Sequence, residues 1–156
     1  MALPYLRSFG ELEWHVGHVS GAIELPPLGL ASLSDQDGDA IQVMRLMIQP
    51  SVRYLQVGWP VDDLFRLYLS DTVPDEIAFT PAETFLEVRG ARGEFRFARL
   101  GAGEFKFRQA VCNGRMLGAA AETVLASDAD FDLGAAFTRL FAEGLVTRLA
   151  PLEPVR

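Results

Sequence analysis

"TFLEVRGARGEFRFARL", residues 84–100, decides the fold of this chain. Two runs of alternating apolar and polar residues flank Gly90-Ala91-Arg92-Gly93. Alternation sends successive side chains to opposite faces of a strand, and a short glycine-bearing break lets the chain reverse. The stretch therefore predicts a β-hairpin. Leu86, Val88, Phe95 and Phe97 are expected on its buried side, with Glu87, Arg89, Glu94 and Arg96 pointing outward.

Downstream of the hairpin, three helical stretches are expected over 103–113, 117–126 and 132–143. Gly114 and Gly144 stop the first and last of them, because glycine tolerates the left-handed backbone that ends a helix. Asp128, Asp130 and Asp132 precede the last helix and read as a turn and cap rather than as metal ligands. "LVTRLA" (145–150) reads as a closing strand.

Upstream, residues 4–20 read as a helix with Pro4 in its first turn. Tyr5, Leu6, Phe9, Leu12, Val16 and Val19 recur at three- and four-residue steps and form its apolar stripe. "ELPPLGL" (24–30) is extended, since paired prolines block a helix. "SDQDGD" (34–39) lacks the glycine and glutamate spacing of a calcium loop and reads as a short acidic turn capped by Ser34. Residues 41–57 read as two extended segments broken at Pro50. "WPVDDLFRLYLSD" (59–71) reads as a helix in which Asp62 and Asp63 serve the positive end of the dipole.

This order is α+β. An N-terminal helix with an α/β lobe is expected over 1–75. A hairpin followed by three helices, winged-helix-like in order, is expected over 80–150, whether as two lobes or as one compact unit. The chain is large enough for either.

Charge and cysteine count narrow the function classes. The 156 residues carry a net charge of −7. Between 89 and 115, seven cations (Arg89, Arg92, Arg96, Arg99, Lys106, Arg108, Arg115) meet Glu94 and Glu104, a net +5, so the remainder carries −12. That argues against generic nucleic-acid binding and leaves one basic segment able to meet an acidic partner. Cys112 is the only cysteine, which excludes an internal disulfide and points to a reducing cytoplasm. No signal peptide or membrane span is read.

"ELEWHVGHV" (11–19) holds both histidines. On a helix Glu11, His15 and His18 share one face, and imidazole with carboxylate suits zinc or iron. Three groups on one exposed helix leave the ligand shell incomplete, so no metal or other cofactor is expected. Trp14 and Arg7 lie on the same side, away from the apolar stripe, and are candidates for contact with a partner. No serine-hydrolase elbow, Walker loop or dinucleotide fingerprint is present, and the chain reads as a non-enzyme.

"PYLRSFGELEWHVGHV" (4–19), "LMIQPSVRYLQVGWPVDDLFRLYL" (46–69) and "DADFDLGAAFTRLFAEGLV" (128–146) together resemble the C-terminal part of the HvfC/BufC family. Members were first catalogued as DNA-binding proteins and later as peptide-modification chaperones. The resemblance implies a partner: an HvfB/BufB-type iron oxidase that modifies cysteines of a ribosomally made precursor peptide. The HvfC-like subunit would bind that enzyme and help present the peptide without catalysis. Typical members also carry an N-terminal helical domain, expected to be missing here, which weakens the DNA-binding alternative. If the domain presents peptide, the expected place is an open edge of the sheet containing 84–100, with Arg89, Arg96 and Arg99 beside it. The oligomeric state is left open.

Overall fold

The computed structural model describes residues 3–71, 74–75 and 79–151. It is a mixed α+β protein with two separate antiparallel sheets. The chain forms two compact units, and each draws on two separated stretches. One comprises Met1–Ile23 and Ser51–Leu100, the other Glu24–Pro50 and Gly101–Arg156. This departs from the expected division near residue 80. The hairpin belongs to the first unit and the three helices to the second, so they do not form a winged-helix-like lobe together.

In the first unit, helix α1 (Leu6–Ser20) and helix α3 (Val61–Leu69) accompany a three-stranded sheet. Its strands are β2 (Val52–Val57), β3 (Thr84–Ala91) and β4 (Glu94–Arg99), in the order β2-β3-β4. Leu12, Val16 and Val19 of α1 meet Val61 and Phe65 of α3, with Leu55, Val57, Leu86 and Val88 of the sheet. Each such buried side chain contributes about 1.5–3 kcal/mol relative to exposure. Phe95 and Phe97 pack on this core from the edge strand, as the alternation required.

The β3–β4 turn is two residues long. Arg92 and Gly93 have φ of 54° and 86°, the left-handed pair whose twist suits a tight hairpin. The approach of α1 to this hairpin is close at Gly90. A Cβ there would lie 2.7 Å from the Glu94 carbonyl oxygen and 2.8 Å from the Val19 carbonyl carbon. Gly93 N–H donates to the Ser20 carbonyl at 2.9 Å, tying the end of α1 to the turn.

In the second unit, β1 (Arg45–Ile48) pairs antiparallel with β5 (Val146–Ala150). It also contains the short helix α2 (Gly38–Gln42) and helices α4 (Ala102–Cys112), α5 (Leu117–Leu125) and α6 (Leu133–Ala142). The buried Gln49 clasps the extended 24–30 stretch. Its Oε1 accepts from Leu25 N–H at 2.9 Å, and its Nε2 donates to Leu25 O at 2.6 Å and to Gly144 O at 3.2 Å. A buried amide with three partners satisfies most of its hydrogen-bonding capacity. Asp132 caps α6 through Ala135 N–H, as the acidic run before it suggested. In the 34–39 turn the cap is Asp37, which accepts from Ala40 N–H, whereas Ser34 closes the preceding single turn by donating to Ala31 O.

Candidate functional site

The cations of the basic segment have distinct environments. Arg99 makes a two-pronged bond to Asp62, Nε to Oδ2 at 2.8 Å and Nη2 to Oδ1 at 2.9 Å, and reaches Asp63 at 2.6 Å. Arg66 bonds both aspartates at 3.0 Å. Asp62 is fully buried, so the adjacent aspartates serve an ion-pair network as well as the helix start. Burial opposes ionisation of Asp62, but the Arg99 and Arg66 guanidiniums outweigh it and hold the carboxyl below the usual range. The helix-dipole reading of this pair was thus incomplete. Its true partner, Arg99, is distant in sequence.

Arg89 bonds Glu87 on its own strand, and Glu87 also accepts from the Tyr54 hydroxyl at 2.8 Å. Glu87 is only 2% exposed and Arg89 is half-buried, so neither points into open solvent as the alternation suggested. The neighbouring strand β2 sets Tyr54 directly across from Glu87, and its hydroxyl and the Arg89 guanidinium satisfy the carboxylate, which a local pattern does not reveal. Arg108 is likewise buried and held by Glu104 at 2.7 Å and by Glu143 at 3.0 Å. Arg92 and Arg96 differ. Both are exposed, and neither has a carboxylate within ion-pair distance among the described residues.

The metal candidates share α1 but do not assemble a site. Glu11 pairs with Arg7 at 3.3 Å. The Trp14 ring lies 4.6 Å from that of His18 and 5.0 Å from that of His15. His15 Nδ1 is buried without a hydrogen-bond partner. Among the described residues no group of three or more His, Cys, Asp or Glu side chains is placed to hold a metal ion. Trp14 remains 61% exposed and Arg7 almost wholly so, which leaves both available for contact.

The remaining feature is the outer edge of β4. Leu100 N–H donates to Phe85 O, which sets the hydrogen-bonding parity of the β3–β4 ladder. Glu94, Arg96 and Ala98 therefore turn their backbone groups toward β3, and Phe95, Phe97 and Arg99 turn theirs outward. Those outward N–H and C=O groups have no hydrogen-bond partner among the described residues. Beside them lies an aromatic ledge. The Phe65 ring is 5.7 Å from both Phe95 and Phe97, and the exposed Tyr68 is 6.2 Å from Phe65. Arg66 lies over the Phe97 ring at 4.8 Å. The opposite edge, on β2, is less open: Val52 is buried and its carbonyl accepts from the Arg53 side chain at 2.8 Å.

No protein-family model matches this chain, and no curated protein matches it. Among the described residues no helix is long and apolar enough to cross a membrane.

Proposed function

We propose that this chain is a non-catalytic, partner-binding and peptide-presenting subunit of an iron-dependent oxidase that modifies cysteines of a ribosomally made peptide. The oxidase and its precursor peptide are its partners, and the reducing cytoplasm is its location. The sequence resemblance to the HvfC/BufC family supplies the pathway. The observation that carries the binding role is the outer edge of β4, unpaired among the described residues, with an aromatic ledge on one face and Arg96 on the other. An exposed strand edge binds an extended chain through backbone hydrogen bonds and requires no reactive group.

The rival reading, a DNA-binding regulator, draws its support from the basic segment. Three of those cations already face carboxylates: Arg89 on Glu87, Arg99 on Asp62 and Asp63, and Arg108 on Glu104 and Glu143. Cations neutralised within the fold release few counterions from a duplex, so affinity for DNA falls. The test is co-expression of the tagged chain with an iron oxidase encoded beside it. The expected outcome is a stoichiometric complex that survives purification at physiological salt. Failure to associate, together with sub-micromolar, salt-sensitive binding of duplex DNA, would overturn this reading in favour of its rival.

A further inference from the structure

We propose that the outer edge of β4 accepts a specific class of extended segment: about five residues, apolar at alternate positions, with an acidic residue between them. The proposal rests on the binding reading above and assigns it a place and a sequence preference. Three outward backbone positions, Phe95, Phe97 and Arg99, offer alternating donors and acceptors to an added strand. In such a strand the residues opposite these three point to the α1/α3 side of the sheet, and those opposite Arg96 and Ala98 point to the other side.

The two sides differ in chemistry. On the first, a side chain opposite Phe95 or Phe97 lies against the half-buried Phe95 and Phe97 rings, with the exposed Tyr68 ring beyond the buried Phe65. These rings favour a branched or aromatic residue, because cross-strand aromatic and β-branched pairs stabilise one another. Arg99 is held by Asp62 and Asp63 and adds no free charge there. On the second side Arg96 is exposed and lies directly across from Arg89, whose charge Glu87 already offsets. A carboxylate opposite Arg96 would give it the ion-pair partner it lacks among the described residues. A lysine there would add a third cation to the row. The strand carries no proline or bulge to discourage addition. Glu94 and Arg96 are its exposed charges without an ion pair among the described residues, and Arg96 is the one that lies between the outward positions Phe95 and Phe97.

The probe is an acetylated, amidated heptapeptide of alternating valine and glutamate, titrated into the whole chain and followed by amide NMR shifts. Its controls replace glutamate by lysine, or N-methylate alternate residues on the hydrogen-bonding side. The expected result is shifts and exchange protection at Phe95, Phe97 and Arg99, loss of binding on N-methylation, and about fivefold weaker binding of the lysine peptide. Arg96→Glu should reverse the glutamate-over-lysine preference while leaving the melting profile unchanged. Equal binding of both charged peptides, or shifts confined to another surface, would overturn the proposal. So would protection of 95–99 in the absence of peptide with sedimentation as a dimer, because a second copy would then own the edge. An oxidase complex that forms equally well with the Arg96→Glu chain, while no peptide binds β4, would remove this site and leave the proposed function standing.

Discussion

His15 sits on the flank of α1 with Nδ1 buried and unpartnered, below the exposed Trp14. Burial disfavours its charged form most, Arg53 adds repulsion, Glu11 opposes the shift and His18 adds a smaller repulsion; the net effect lowers its pKa. The folded chain therefore binds this proton less readily than the unfolded chain does. Stability is full above the unfolded value of about 6.5 and declines as pH falls through it toward the lowered folded value. We expect thermal melting at a series of pH values to show a drop below about pH 6.5 that is smaller in His15→Gln. Identical pH profiles for the two proteins would remove His15 as the cause. The same residue shows the limit of a helical wheel. Angular spacing put Glu11, His15 and His18 on one face, but the wheel did not show that Arg7 would pair with Glu11 or that His15 would lean into a buried setting.

At the scale of elements, the hairpin was readable because its evidence is local. The alternation set the strands, and Arg92-Gly93 supplied the tight turn. The helices after it were readable for the same reason, with ends within one or two residues of the glycine and aspartate signals. What surrounds β3 was not readable, because β2 joins it from about thirty residues away and brings Tyr54 beside Glu87. Hence Glu87 could not be recognised as buried from its own run. Gly90 marks where the end of α1 presses on the hairpin. We expect Gly90→Ala to cost about 1–3 kcal/mol, since an added methyl meets backbone of both Glu94 and Val19 as well as the Val19 side chain, and the backbone cannot turn away. Chemical denaturation measures this. A cost under about half a kcal/mol, the usual range for surface substitutions, would mean that α1 yields without penalty.

At the scale of the whole molecule, each compact unit is assembled from two separated stretches of chain. β3 needs β2, and β5 needs β1, and in each case the partner strand lies in the first half of the sequence. We therefore expect residues 76–156 expressed alone to show no cooperative thermal transition by circular dichroism, because the hairpin loses its third strand and β5 loses its only named partner. A sharp transition in that fragment would contradict the interleaved arrangement. By itself the sequence determined the α+β class, the hairpin, the helices and most of their ends, since these follow from periodicity and turn chemistry within a few residues. Only the tertiary structure decided which strands share a sheet, which arginines are spent on Asp62, Asp63, Glu87, Glu104 and Glu143, and which edge is left unpaired among the described residues. Those outcomes depend on contacts between residues far apart in the chain, and each such contact forms only where the gain of burial and pairing exceeds the entropy of closing the loop between them.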